Sequence, residues 1–417
     1  MDVVVQRGQY KGTPYVCLIK QQNQGKRDSL IAVRSFLHYF NKRGESPSTI
    51  IKPELFDWLA TFFIRNAQFS KVDCLVGMDA DTVLDRECVY ELVQEQRLPN
   101  TLGVAGYVVV DWKDKPWGLW RLFQNAEYTV TQCVRRLHQG RVTKKVSVLP
   151  GACQILKIND ETCCDLVLLD KFGAKPQITD GLYKQIMFSA SEDGNHVCCV
   201  MTTFSKARTR QCLRARAYTD VPVSWSVYLS QRRRWSLGAT GNDWLLVSGP
   251  NVLWFERTLS FVNTFTWFLT PFVFAAYCTF FYVIIAHASL VILYLAAILL
   301  IPIIYYFFIP FGLLKLSYKE KWQYFAGLML YLVLGPPCRF IVLCYALWNM
   351  DQFGWGKTRQ VINEDGAKAN VDNVSQHGAD SQYSEEDRRQ VATTPPNMSS
   401  VNVATRDIAG EEKRLGA

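Results

Sequence analysis

The chain has 417 residues, a formal net charge of +9, 49% hydrophobic residues and 13 cysteines, with a mean hydropathy at zero. Such a length holds one globular domain and a membrane part, and the hydropathy average conceals those two populations. The positive charge is gathered at a few places, residues 208–216 and 232–234 among them, which suits a phosphate-bearing ligand or an anionic lipid surface and argues against nucleic acid as a partner.

The cysteines form no CxxC pair. Cys17, Cys74, Cys198, Cys199, Cys278 and Cys344 lie in apolar stretches and read as buried reduced thiols, so the soluble part is expected on the cytosolic side. Five scattered histidines without metal-ligand spacing argue against a His/Cys metal centre. The first nine residues lack the apolar core of a signal peptide.

From Thr13 to about Val247, short β-branched runs alternate with amphipathic segments, the pattern of an α/β domain over residues 1–250. The patterning predicts strands at 15–19, 72–78, 104–110 and 146–149. A helix is predicted over 29–41, where Leu30, Val33, Phe36, Leu37 and Phe40 recur at helical spacing behind Asp28 or Ser29 as N-cap. There is no internal repeat.

Several points in this domain can carry chemistry. In the loop 23–29, Gly25, Lys26 and Arg27 precede a helix amino terminus and can receive an anion, although taken in isolation a solvated loop ending in an N-cap is the better account of them. Asp79-Ala80-Asp81 follows a predicted strand directly, which sets two carboxylates at a strand's carboxyl end. That pair suits a hard divalent cation, Mg2+ or Mn2+, bridging a diphosphate, with a surface turn as the plain alternative. Trp117, Trp120 and Phe123 read as core or as a sugar platform. Leu149-Pro150-Gly151 closes a strand with a stiff turn. In Ser191-Glu192-Asp193 a carboxylate can serve as general base or merely cap a helix. Gln231, Arg232, Arg233, Arg234 and Trp235 place three guanidiniums between a carboxamide and an indole. That set suits phosphate and a stacked ring, or else a positive-inside anchor ahead of an apolar span.

Residues 259–285 and 290–311 are uncharged and long enough to cross a bilayer. The linker between them carries no Lys or Arg, whereas Arg257 precedes the pair and Lys315, Lys319 and Lys321 follow it, so a transmembrane hairpin with cytosolic outer flanks is expected. Residues 322–350 are also apolar. Pro336-Pro337 interrupts them, and Arg339 at bilayer depth would cost roughly 2.5–3.5 kcal/mol. Two in-plane interfacial or re-entrant helices joined at the Pro pair are therefore expected instead of a third span. Residues 363–417 are polar and read as a disordered tail.

Taken in order, NQGKRDS, DAD, FQNAEY, LPG, SED, QRRRW and WGKTR (355–359) resemble the motif series of fungal chitin synthases, processive family 2 glycosyltransferases. The resemblance implies a GT-A type domain with an α-helical membrane region behind it. The substrate it implies is UDP-N-acetylglucosamine with a divalent cation, and the reaction adds the sugar with inversion to a growing β-1,4 chitin chain. By position, Asp81 and Asp79 would hold the metal, and Lys26 and Arg27 would contact the nucleotide. Asp193 would be the base, with Glu192 beside it. Gln231, Arg234 and Trp235 would lie at the acceptor and pyrophosphate end, and Trp355 and Arg359 in a gating loop at 351–362. The implied setting is a multi-pass protein of the plasma membrane, septum or secretory vesicles, in contact with the bilayer and with a second copy or a larger synthase complex.

Two departures from the family pattern carry expectations of their own. Gly194 stands where the family usually has Arg after the Glu-Asp pair, which removes a potential charge partner. The family's uracil-reading strand precedes the Asn-Gly-Lys-Arg motif, and residues 1–12 are too short to hold it, so the GT-A domain is expected to be incomplete at its amino terminus. Hyaluronan and cellulose synthases share DxD and QxxRW, but the triple Arg and the NxGKRDS loop favour chitin synthases. An inactive membrane subunit associating with an intact synthase is the reading from another class.

Overall fold

The computed structural model describes residues 3–21, 25–45, 50–112, 116–177, 179–286 and 290–352. The chain divides into two units, one of Met1–Ser29, Pro47–Lys71 and Arg359–Ala417 and the other of Leu30–Ser46 and Val72–Thr358. In the first, β1 (Val3–Tyr10) and β2 (Thr13–Lys20) form an antiparallel hairpin. Its two-residue turn, Lys11-Gly12, has both residues at positive φ, which matches the twist of the strands. The helix α1 (Lys26–Asn41) begins in this unit and continues into the second, and α2 (Pro53–Arg65) opens on a proline at its first turn.

The second unit is built on a five-stranded mixed sheet. Its strands are β3 (Cys74–Gly77), β4 (Thr82–Leu84), β5 (Thr101–Val110), β6 (Gln154–Lys157) and β7 (Arg208–Thr219), in the order β3-β6-β5-β7-β4. β5 is buried at every position, as a central strand covered on both faces must be. Val104 and Val108 turn towards Cys88 and Leu92 of α3 (Cys88–Gln96), whereas Tyr107 and Val109 turn towards Cys133 and Leu314. β6 is antiparallel to both β3 and β5, and β5 is parallel to β7. The carboxyl ends of β3, β5 and β7 therefore lie at one end of the sheet. Residues 78–81 carry the chain there from one edge strand to the opposite one.

The predicted strands at 15–19, 72–78 and 104–110 fall within β2, across β3 and within β5, and the predicted helix is α1. Residues 146–149 do not form a strand: beside them lies one isolated bridge, Lys145 to Thr209, and the ladder starts only after the Pro150-Gly151 turn, at β6. All thirteen cysteines are unbridged, but Cys17, Cys278 and Cys344 are exposed rather than buried.

Around the sheet stand α4 (Leu119–Val130), α5 (Asp160–Cys163), α6 (Leu182–Ser189) and α7 (Glu192–Thr203), followed by the long α8 (Trp225–Ser248). The apolar region comprises α9 (Trp254–Phe268), α10 (Thr270–Ala286), α11 (Leu290–Leu313) and α12 (Tyr318–Trp348). It departs from expectation in two ways. First, 259–285 is not one continuous helix. α9 and α10 meet at a 61° bend, beside Pro271, which has no N–H to continue the ladder. α9 also buries Glu256, Ser260 and Thr264 along one stripe.

Second, α12 is one continuous helix through Pro336 and Pro337, not two helices joined there. Pro337 cannot donate to the Val333 carbonyl, and that carbonyl accepts instead from the Tyr277 hydroxyl of α10 at 2.8 Å. By length and composition α12 is apolar enough to cross a membrane. Yet its buried stripe, from Tyr324 and Leu328 through Tyr331 and Cys338 to Val342, packs with Phe123, Ala126 and Val130 of α4 and with Tyr228 and Leu229 of α8. Arg339 folds back onto Tyr331, its guanidinium over the ring at 5.5 Å and bonded to the hydroxyl. This helix lies along the globular domain.

Candidate active site

Two acids stand where β3, β5 and β7 end. The Asp79 carbonyl accepts from the Thr82 amide at 3.0 Å, which closes the turn 79–82. Asp81 Oδ1 lies 3.5 Å from the hydroxyl of Thr219, the last residue of β7, and the Asp111 amide after β5 donates to the Thr219 carbonyl at 2.8 Å. Tyr128 of α4 feels the charge of Asp81 as well as those of Arg232 and Glu127; burial is the largest influence on it and pushes its phenol up.

The first turn of α7 meets the same end of the sheet. Asp193 Oδ2 accepts from the Gly151 amide at 2.8 Å, so the Pro-Gly turn ahead of β6 fixes this carboxylate. Ser191, at φ 55°, turns the chain sharply into α7. The Asn242 amide of α8 holds its carbonyl and hydroxyl at 3.5 and 3.4 Å. α8 passes this close because Gly238 has no side chain: a Cβ there would lie 2.2 Å from the Ser191 Cβ. Gly194 faces the same helix, and a Cβ on it would come 2.8 Å from Asn242 Nδ2.

The loss of a charge partner expected from Gly194 is made good from other elements. Arg34 of α1 and Arg136 both interact favourably with Asp193, and Arg234 with Glu192. Burial pushes all three guanidiniums down, Arg136 to about 10.

Gln231 to Trp235 lie mid-way along α8. Arg232 donates to Glu127 of α4 through Nη2 at 2.6 Å and Nε at 3.2 Å, and bonds the Gln231 oxygen. The Tyr228 and Trp235 rings stack on it at 4.6 and 4.2 Å. Burial pulls this guanidinium down, but Glu127 and then Tyr128 more than offset it and leave it above its ordinary value. Arg233 donates to the Asn349 carbonyl at 3.1 Å and to Gln352 at 3.2 Å. Arg232 and Arg233 are 5% and 4% exposed, which rules out a lipid-facing anchor for them. Arg234 shares a small cavity with Arg233, Ser189, Leu237 and Gln352. Trp235 is exposed at 43%.

The family model described as chitin synthase matches residues 3–386. The chain belongs to the chitin synthase family. It is 41% identical to chitin synthase 8 of Gibberella zeae over 368 residues, 87% of this chain and 55% of that protein. It is 44% identical to chitin synthase 8 of Verticillium dahliae over 299 residues, 66% of this chain and 49% of that protein. The chain thus spans about half the length of these curated relatives. A solved mannosyltransferase of Pyrobaculum calidifontis, in complex with GDP-Man and Mn2+, is similar at 14% identity and a TM-score of 0.32, over 63% of this chain and 61% of that one.

In this chitin synthase family member the mixed sheet is the GT-A type domain, with the apolar helices behind it. Asp79, Asp81, Glu192, Asp193, Arg234 and Trp235 all belong to the second unit. Lys26 and Arg27 form the first turn of α1 in the other unit. Trp355 and Arg359 lie outside the described residues. Among the described residues no cluster of three or more His, Cys, Asp or Glu forms. Two carboxylates on one turn fit a hard cation that keeps waters and takes further oxygens from a substrate diphosphate. Of the aromatics, Trp120 stacks on Phe123 at 5.2 Å as core and Trp117 is exposed.

Arg34, Arg136, Glu127 and Gly238 escaped the reading of the sequence. Arg34 had a legible signal, because it lies on the apolar stripe of its helix between Leu30 and Leu37. Glu127 stood inside FQNAEY but had no visible partner until α4 met α8.

Proposed function

We propose that the chain is a membrane-associated chitin synthase that transfers N-acetylglucosamine from UDP-N-acetylglucosamine to the non-reducing end of a β-1,4 chain. One observation supports this reading: Asp193, held by the Gly151 amide ahead of β6, belongs to the same end of the sheet as Asp79 and Asp81. Asp193 takes the proton of the acceptor hydroxyl as its oxygen attacks the anomeric carbon. The bond from that carbon to UDP breaks on the opposite face, so the configuration inverts. Asp79 and Asp81 would hold a divalent cation, which when bound would neutralise charge on the diphosphate. Arg234 supplies positive charge at the same end, and the exposed face of Trp235 stacks a sugar of the acceptor. The resemblance assigns nucleotide binding to Lys26 and Arg27 and the gating role to Trp355 and Arg359.

In this reading α12 lies in the interface plane of the plasma membrane with its outer aromatics, Trp322 and Trp348, towards lipid. The catalytic domain and tail are cytosolic. Glycans on Asn373 or Asn397, both in acceptor sequons, would refute that topology.

The test is incorporation of radiolabelled UDP-N-acetylglucosamine by membranes carrying the full chain. Insoluble, chitinase-sensitive product that disappears with Asp193→Asn and with Asp81→Asn supports the enzyme. Its absence under every metal and lipid condition, or its survival in Asp193→Asn, overturns it.

A further inference from the structure

The turn that presents Asp193 is held from another helix. Ser191 stands at the N-cap of α7, yet among the described residues its hydroxyl caps none of the first amides of that helix, and its backbone is left-handed at φ 55°. A residue with a Cβ persists in that region only where its surroundings hold it there. Here the surroundings are Asn242 of α8. Its Nδ2 donates to the Ser191 hydroxyl at 3.4 Å and to the Ser191 carbonyl at 3.5 Å, and its Oδ1 accepts from Asn195 Nδ2 at 3.1 Å. The same Ser191 carbonyl accepts from the Asn195 amide at 3.0 Å, which closes the first turn of α7. Asn195 and Asn242 are 0% and 4% exposed, so water does not replace these bonds when they break.

Residues 191 and 195 are one turn apart and share a face of α7. Asp193 lies two residues from each, about 200° round the helix, and there its Oδ2 accepts from the Gly151 amide at 2.8 Å. Asn242 therefore grips both ends of the turn on one side while Asp193 is presented on the other. A carboxamide suits this place because it carries a donor and an acceptor on one rigid group; a carboxylate of the same shape has no donor for the Ser191 carbonyl. The gap at Gly194 admits it, since a Cβ there would lie 2.8 Å from Asn242 Nδ2.

Resting on the reading of Asp193 as base, we propose that Asn242 is a positioning residue: a buried carboxamide clamp across residues 191–195 that fixes the direction in which Asp193 is presented, with Gly194 as the gap that lets it close. It acts through the backbone of that turn.

Two measurements on the full chain test this. In the incorporation assay, Asn242→Ala removes the clamp and Asn242→Asp keeps its shape but not its donor. In both, kcat per folded molecule should fall on the order of 10²-fold, the effect of a reacting group misplaced by about 1 Å, while KM for UDP-N-acetylglucosamine stays the same. A loss no larger than the unfolded fraction explains, or a raised KM at unchanged kcat, overturns the positioning role. The second measurement is thermal unfolding of the solubilised chain in a double-mutant cycle. Gly194→Ala alone should lower the midpoint, because its Cβ displaces the Asn242 amide. In an Asn242→Ala background the obstacle is gone and Ala is the better helix former, so the same change should leave the midpoint level or raise it. Equal drops in both backgrounds overturn the clamp. If the wild type makes no product, the reading of Asp193 as base falls and the positioning role with it, while the unfolding cycle still decides whether Asn242 holds the turn.

Discussion

Gly238→Ala tests how tightly α8 sets the position of Asp193, the base in the proposed reaction. The added Cβ would lie 2.2 Å from the Ser191 Cβ, 3.1 Å from its backbone nitrogen and 3.2 Å from the Ala190 carbonyl carbon. Two of those atoms are backbone, so no side-chain rotation relieves the contact. Ordinary contact starts at 3.4 Å, so the entry to α7 must retreat by about 1.2 Å. Ser191 is already at positive φ and tied to Asn242. Two residues on, the 2.8 Å bond from Gly151 to Asp193 does not survive a shift of that size if the turn moves as a unit.

The stability cost and the activity cost of this change differ in scale. Overpacking costs about 1–3 kcal/mol, and the better helix preference of Ala returns about 1 kcal/mol. Fold stability should therefore fall by no more than about 2 kcal/mol. A misplacement near 1 Å at a reacting group costs on the order of 10²-fold in rate. Incorporation of labelled sugar and thermal unfolding, run on the same membrane preparation, read the two effects. Gly181→Ala, where the added Cβ meets nothing within 4 Å, is the control. Wild-type incorporation by Gly238→Ala, or a loss no larger than the unfolded fraction explains, would refute the reasoning.

Three further outcomes follow from the packing around α8. Glu127→Gln strips the counter-charge from a buried Arg232 and should destabilise the chain by about 2–3 kcal/mol, less than a fully enclosed pair because Glu127 is 23% exposed; an unchanged unfolding midpoint would argue against it. In Gly327→Ala the Cβ would lie 2.3 Å from the Leu122 carbonyl oxygen, and prising α12 from α4 should cost about 1–3 kcal/mol, seen as faster proteolysis between α11 and α12. Burial raises Asp243 above its ordinary value, against the pull of Arg135. The folded state then holds this proton more tightly than the unfolded one. Its contribution to stability is complete below the unfolded carboxylate pKa, about 3.9, and is lost as pH rises through the folded value. Asp243→Asn should flatten that part of the pH–stability curve, and an unaltered curve would refute the assignment.

The sequence patterns located β5 and α1 well because their signals are local: an apolar β-branched run and a helical repeat. Placing two acids at a strand end was equally local, since DAD follows its strand with one residue between. Residues 146–149 misled because Val146 and Leu149 are fully buried without pairing in a ladder; hydrophobicity reports burial and says nothing about hydrogen-bond partners. The Pro pair in α12 misled for a related reason. Its helix-breaking cost is offset by the Tyr277 hydroxyl on another helix, and no local reading reveals a partner 56 residues away. Arg34 and Arg136 are coupled to Asp193 only through the tertiary fold.

The arginine run of α8 shows how one motif divides its labour. As a sequence it offered three equivalent guanidiniums, but successive residues on a helix point about 100° apart, so no single ligand is addressed by all three. Arg232 turns to Glu127 and joins α8 to α4. Arg233 turns the other way, to Asn349 and Gln352, and joins α8 to the end of α12. Arg234 interacts favourably with Glu192. The first two therefore hold in place the helix that carries Gly238, and with it the turn that presents Asp193. Because Gln352 lines the same cavity as Arg234, the described chain ends at that cavity, three residues before Trp355 in sequence. A change at Arg233 should accordingly loosen α8 from the end of α12, and a change at Arg232 should loosen α8 from α4.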